Sequence, residues 1–570
     1  MKQGSALSKW ISTFGIISLV LTLTIIPAPV IMAQKLTPDA QVQETVKKSP
    51  DEDLPPLPSS PIEIAEKDGT ALRLSLKDIT KLALQNNLDI AISDTNEQLY
   101  QQKIIATFGN YDPTLTAQLG VSSQISANTN LATAATQGNP KNDRANWNFG
   151  FSQNVRTGGQ LQASWNSSRS DTNTSFSLFS PQYNSAMTVQ FTQPLWRNLR
   201  IDSNRGSIKL ANLDLESNDS KFRQKVTETI ENIQQQYWNL VSAIRDYDIK
   251  RSSVNLGQIT LRDNKKKVDV GTLAPISITE AQADLKSREL NLISSEEQIL
   301  RQENTVRQLV TNDKSAEIWT KVIVPTDEPD FIEYKIDLGT AIETALKKRP
   351  ELEQYDIQLR QADINLKMTE NSRKWQFDVN GQFGTTGVAG PQTYSQITGM
   401  PTIKPELVGG IGTAYKTNFT QGFTNWQVSF NVSVPLRTRN LSSQYAQQKI
   451  QKQQTVMNRK AQEQSIQVEI RNAVQKLKTN RQQVETAKMQ TQLNKEQLDG
   501  EVKRFEAGLS ESYRVLDRQN SLAQAQNAEL VNLINYKLSV IALQKAMNIL
   551  LESNDFELAK GSSGNVPDLK

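Results

Sequence analysis

The 570-residue chain contains no histidine and no cysteine. Their absence excludes imidazole bases, thiol nucleophiles, thiolate or imidazole metal sites and disulfides. It also excludes a lipid anchor on an N-terminal cysteine. An enzyme would be left with carboxylates, Ser, Lys and Tyr. An excess of one charge is lacking too, with 64 Lys+Arg against 60 Asp+Glu. Lys2 and Lys9 are the only charges before Lys35, and without them the balance is 62 against 60. Nothing here has the basic footprint of a nucleic-acid binder.

What the chain has is length. Trp426, Val428, Phe430, Val432 and Val434 alternate with Gln427, Ser429, Asn431 and Ser433, the period of a strand. Pro435 breaks it, and a Gln-rich helix pattern follows from about Leu441 to Phe505. The same order occurs earlier: V189-Q-F-T-Q-P-L-W leads through Pro194 into a helix from about Asn204 to Val270. At 1.5 Å per residue each helix would be about 100 Å long. The first carries Phe222, Val226, Ile230, Ile233, Tyr237, Leu240, Ile244 and Tyr247, a coiled-coil-like stripe.

In chain order, Met1–Ala33 reads as a secretory signal, with Lys2 and Lys9 as the basic end and Ile16–Ile26 as the apolar core. A membrane-spanning anchor over Trp10–Gln34 is the other reading. Residues 34–70 are a Pro-rich lead-in. A first repeat, 71–315, holds a helix from Leu76 to about Gly109, strands, the long helix and a return helix, Ser277–Leu309. A linker, 316–337, contains a short β-like K-V-I-V-P. The second repeat, 338–552, follows the same programme, with a helix Leu338–Lys374, and 553–570 is a disordered tail. The tip turns are Gly271, with Pro275 after it, and Gly508. Ala83-Leu84 recurs as Ala345-Leu346, an offset of 262, and Pro194-Leu195 as Pro435-Leu436, an offset of 241. The first repeat is therefore longer by 21 residues (262 − 241) across its strands, about one hairpin. Gly271 recurs as Gly508, an offset of 237, so one further helical turn separates the two long helices.

The strands alternate throughout. Thr157-Gly158-Gly159 is a tight turn, while Ser126–Asn146 and Ser168–Ser185 are long and polar, the loop asymmetry of a membrane β-barrel. A soluble sandwich shares the alternation, but it does not feed its strands into 100 Å helices. Asp517 and Glu280 follow the two tip glycines at equivalent places. In several copies they would form carboxylate rings; as single residues they are solvated helix charges. Phe505 and Tyr513 flank the second turn, as gate contacts or as packing. Asp78 and Glu343 are first-turn helix charges. The Gly-rich stretch 384–412 lacks the Lys-Ser/Thr of a phosphate loop.

Several motifs, each weak alone, recur in order in both halves: L-K-D-I-T-K-L-A-L-Q-N-N-L and L-G-T-A-I-E-T-A-L-K-K-R-P-E-L, the strand-ending Q-P-L and V-P-L, and V-G-T-L-A-P-I-S-I-T-E-A-Q-A-D-L with A-G-L-S-E-S-Y-R-V-L-D-R-Q-N-S-L. In this the chain resembles the TolC-like outer-membrane efflux family. The resemblance implies a mainly α fold with a membrane β part: a long α-helical barrel plus an outer-membrane β-barrel, assembled from three chains with an internal two-fold repeat. It implies a homotrimer in outer-membrane lipid that meets a periplasmic adaptor (membrane-fusion) protein and an inner-membrane pump, with no cofactor. Such a duct serves efflux or type I secretion. A non-pore coiled-coil stalk or adaptor is the competing reading, though it has no use for amphipathic strands. Leu88 stands where the family has Pro, a position that Pro350 keeps in the second repeat. Arg514 stands where a second tip carboxylate would accompany Asp517. The family plan of four strands per chain, twelve per trimer, leaves Trp147–Asn166 as an added hairpin. It is expected to extend the sheet above the membrane or to fold over the mouth.

Overall fold

A computed structural model describes residues 57–128, 139–174, 177–313, 316–392, 404–420, 423–554 and 556. The expected signal segment, the first part of the lead-in and the tail from 557 lie outside the described residues. The end of the lead-in is helical: α1 (Pro61–Lys67) opens on a capping box between Ser60 and Glu63 with Pro61 in its first turn.

Each repeat begins with a short helix and a longer one. In the first these are α2 (Leu76–Asn86) and α3 (Leu88–Phe108). The single helix expected from Leu76 to Gly109 is interrupted at Asn87, whose side chain accepts from the N–H groups of Asp89 and Ile90. An Asn cap thus restarts the helix where Pro350 does so in the second repeat, between α6 (Leu338–Lys348) and α7 (Pro350–Ser372). The long helices are α4 (Ser203–Asp269, 67 residues) and α9 (Arg439–Glu506, 68 residues), so the extra helical turn expected of the first is absent and the surplus residues lie instead in the longer strand-to-helix connection after Pro194. Each is about 100 Å long. Their return helices are α5 (Ile276–Val310) and α10 (Ser512–Ala546). Gly271 and Gly508 hold φ of 76° and 73° at the turns, a conformation that costs glycine little.

Near the strands the helices pack in the order α3–α4–α7–α9, with α7 ion-paired to both long helices through Glu353–Arg223 and Asp363–Lys452. Farther out the order becomes α5–α4–α10–α9. The core is the seam along these pairs: α5 buries Ala281, Leu285, Arg288, Leu292, Ser295 and Ile299 at heptad-like steps. Where the two halves of the helical layer meet, β1 (Ala71–Leu74) pairs in parallel with the linker strand β6 (Val322–Pro325).

The remaining strands form one antiparallel sheet, in the order β2 (Thr114–Ile125), β3 (Lys141–Asn154), β4 (Gln160–Thr172), β5 (Gln182–Pro194), β7 (Gln376–Ala389), β8 (Phe423–Ser433). The sheet thus has six strands, two more than the family plan. The added hairpin is β3–β4, and it is inserted between β2 and β5 in full register: Leu115 faces Phe151, and Ala163 faces Val189. β4 has 13 residues where alternation suggested seven, because its second half, N-S-S-R-S-D-T, is polar on both faces. The Gly-rich stretch before β8 also holds a helix, α8 (Ile411–Thr420).

Candidate functional site

Two features could carry a conduit: the sheet and the helical tip. Cross-strand register puts Leu115, Phe151, Ala163, Val189, Phe383 and Trp426 in one row across all six strands. The opposite face carries Thr114, Ser152, Gln162, Gln190, Gln382 and Gln427 in a row of its own. On that polar face, among the described strand residues, Arg144 and Asp378 are the only charges. Asp378 is buried and accepts from Gln376. The polar face is thus an almost uncharged wall of amides and hydroxyls.

α8 lies over the loop end of the apolar face. The Trp147 indole N–H donates to the Tyr415 hydroxyl (2.8 Å), and the Trp165 ring packs on Tyr415 at 5.1 Å between centroids. The Asn418 amide and the Trp165 indole both donate to Ser185 Oγ, at 2.9 Å each. Glycine is required at 387, where a Cβ would stand 2.0 Å from the Ala414 carbonyl oxygen. Both tryptophans belong to the added hairpin, so β3–β4 and the second-repeat loop are built to fit each other.

At the tip, α10 is tied to the first repeat by buried polar contacts. The Asn264 amide donates to Ser512 Oγ (2.7 Å), and Gln519 Nε2 donates to Thr260 Oγ1 (3.1 Å). Arg288 is 5% exposed. Its guanidinium donates to Asp284 (2.6 Å), to the Ser253 carbonyl (2.9 Å) and to Gln519 Oε1 (3.2 Å). Asn520 reaches the same Asp284, at 3.1 Å. The Lys267 ammonium sits 3.6 Å from the Phe505 ring centroid, a cation–π contact between the two tips.

Farther from the tip, two buried groups clamp the linker. The Tyr237 hydroxyl donates to Asp327 Oδ2 (2.5 Å), and burial pushes that phenol above its ordinary range. Glu303, 1% exposed, accepts from the Ile323 N–H and from Arg307, both at 2.7 Å. Burial still holds its carboxyl above the usual range, outweighing both partners.

The expected site residues divide. Phe505 packs against Leu498, Val515 and Leu522 beneath Lys267. Asp517, Arg514, Tyr513 and Glu280 are exposed, outside the buried links. Pro275 caps α5; Pro194 ends β5 and is buried, while Pro435 is exposed two residues beyond β8. Arg288, Asp284, Asn264 and Gln519 were not anticipated. Arg288 was findable, since a charge at a seam position between Leu285 and Leu292 must have partners.

Among the described residues no helix is long and apolar enough to cross a membrane. The sequence matches the family model for outer membrane efflux proteins over residues 158–312 and 341–548, well over half of its length. The chain belongs to that family. It is an outer-membrane efflux protein, and the family is one of transport channels. Its fold is similar to the CmeC outer membrane channel of Campylobacter jejuni, with 16% identity, a TM-score of 0.57, and coverage of 85% of this chain and 90% of that one. It is likewise similar to the outer membrane protein VceC of Vibrio cholerae (15%, 0.56, 83% and 95%) and to the MtrE outer membrane channel of Neisseria gonorrhoeae (15%, 0.54, 83% and 88%). A comparison with curated proteins finds none that matches.

Proposed function

We propose that three copies form a passive exit duct, with a β-barrel in the outer membrane continued by a helical barrel through the periplasm. The duct receives cargo from an inner-membrane pump through a periplasmic adaptor. The observation that carries this reading is the sheet: one face is apolar except at its loop end, where Lys141, Asp143, Arg169 and Asp171 stand, the other is polar and nearly uncharged, both edges are unpaired among the described residues, and the sheet joins directly to two 100 Å helices. Lipid does not tolerate open edges, so the sheet must be closed by further copies. The polar face then lines water. A non-pore stalk would leave the apolar face without purpose. Outer-membrane extracts run unheated and heated on a denaturing gel test the reading; a heat-modifiable trimer is expected, and a monomer in both lanes would sink it.

The tip is the gate in this reading. Asp517 and Glu280 line the mouth, and the contacts of Arg288, Asn264 and Gln519 hold α10 against the first repeat. Asp517→Lys is expected to lower the cation preference of the reconstituted trimer severalfold and to remove block by multivalent cations. Selectivity equal to wild type would show that Asp517 faces away from the pore.

A further inference from the structure

The hairpin β3–β4 adds a second consequence, which rests on the trimer proposed above. We infer that it crosses the membrane with the other four strands, so that three copies of a six-stranded sheet close an eighteen-stranded barrel, β8 of one copy pairing with β2 of the next.

Position comes first. A hairpin standing above the membrane would hang from a sheet edge. β3–β4 instead separates β2 from β5, and its register fixes its height on both sides, Phe151 beside Leu115 and Ala163 beside Val189. No four-stranded wall remains if it is removed from the membrane, because β2 would lose β3, its one partner among the described strands.

Surface chemistry agrees. The hairpin continues the apolar row rather than interrupting it, and Phe149 on that face is 47% exposed. A hairpin in water would need no apolar outer face. Its inner face continues the amide and hydroxyl lining.

The edges fit a second copy. β2 has 12 residues and β8 has 11, and six alternating strands bring them together antiparallel in a ring. Helical flanks are unfinished on the same sides: Ile92 and Leu99 of α3, which leads into β2, are exposed, as are Ile450 and Met457 of α9, which follows β8. One copy-to-copy contact therefore completes sheet and helices together. At a strand spacing of about 4.8 Å and a tilt of about 40°, eighteen strands enclose a backbone cylinder about 36 Å across, against about 24 Å for twelve. The outer end is then wide, and passage is controlled at the helical tip alone.

A chain without cysteine allows a clean test. Phe149→Cys and Val428→Cys, each carrying an environment-sensitive fluorophore, are reconstituted in bilayers containing brominated lipid. Quenching at position 149 is expected within about twofold of that at 428. In parallel, Ala117→Cys is combined in turn with Thr424→Cys, Val428→Cys and Val432→Cys, and a disulfide-linked trimer is expected for one register. Quenching at 428 without quenching at 149 would place the hairpin outside the membrane and overturn the inference, as would a native trimer that cross-links in none of the three registers. A monomer by native mass would overturn the trimer reading instead.

Discussion

The two long helices are nearly equal in length and in plan, yet they are buried differently. α4 buries residues from Gly206 to Asn264, almost end to end. α9 buries none before Ile466. The first repeat wraps its long helix with α3, α5, α7 and α10, whereas among the described residues the sheet-side half of α9 packs on α7 and, from Ile466 on, against α6. The sheet repeats the imbalance, with four strands from the first repeat and two from the second. Duplicated segments normally bury equivalent faces. In the trimer proposed above, the bare flank of α9 and the β8 edge on the same side would meet the next copy together.

Breaking the tie between the repeats should have the largest effect. Arg288 brings Asp284, Ser253 and Gln519 together across the seam. Arg288→Met leaves Asp284 without its buried partner, a loss of about 3–5 kcal/mol in comparable cases. The expected outcome is faster amide exchange over residues 512–527, with raised single-channel conductance as α10 loosens. Exchange unchanged over that segment would show that the links hold nothing.

The next effect sharpens the comparison of the strands. Ala163 of the added hairpin and Val189 of the original set are direct neighbours in register. An arginine on a lipid-facing strand costs about 2–4 kcal/mol at mid-membrane and little at the interface. Ala163→Arg and Val189→Arg should therefore lower the heat stability of the trimer alike. A harmless Ala163→Arg beside a damaging Val189→Arg would separate the hairpin from the membrane strands.

How much of this was legible in the sequence depended on periodicity. The long helix patterns, bounded by Pro before and Gly after, placed α4 and α9 to within two residues of their observed ends, and the stripe from Phe222 to Tyr247 marked the buried face of α4. The strands were found but shortened. Ser167–Thr172 and Lys141–Asn146 are polar on both faces, and backbone pairing rather than alternation makes them strands. α8 escaped because it buries only Ala414, Thr417 and Asn418, too few to show a period. The tip links escaped because amide contacts across 230 to 260 residues of sequence have no local pattern. The offset of 21 residues did locate the hairpin, but not its place in the sheet, since an insertion length says nothing about which strands it separates.

The smallest effect concerns the first repeat's clamp on the linker; the second repeat holds the same linker through Tyr536, whose hydroxyl accepts from the Tyr334 N–H and donates to the Ile332 carbonyl, each at 2.9 Å. Glu303 sits at a seam position of α5 and holds the Ile323 N–H of β6. Its carboxyl is raised above the usual range because burial disfavours the charge more than Arg307 and Ile323 favour it. A raised folded-state value means that the native chain binds this proton more tightly than the unfolded chain does. Its contribution to stability is therefore fully present below about pH 4.3, the unfolded value, and is lost as pH rises through the folded one. Glu303→Gln keeps an oxygen for the Ile323 N–H and removes the titration, giving up the charge attraction to Arg307. Thermal unfolding followed from pH 4 to pH 8 should then show a decline in wild type that the variant lacks, the other titrating groups cancelling in the difference. Parallel curves would mean that the carboxyl titrates alike in the folded and unfolded chain, and a wild-type curve that rises against the variant's would mean that Arg307 and Ile323 outweigh its burial.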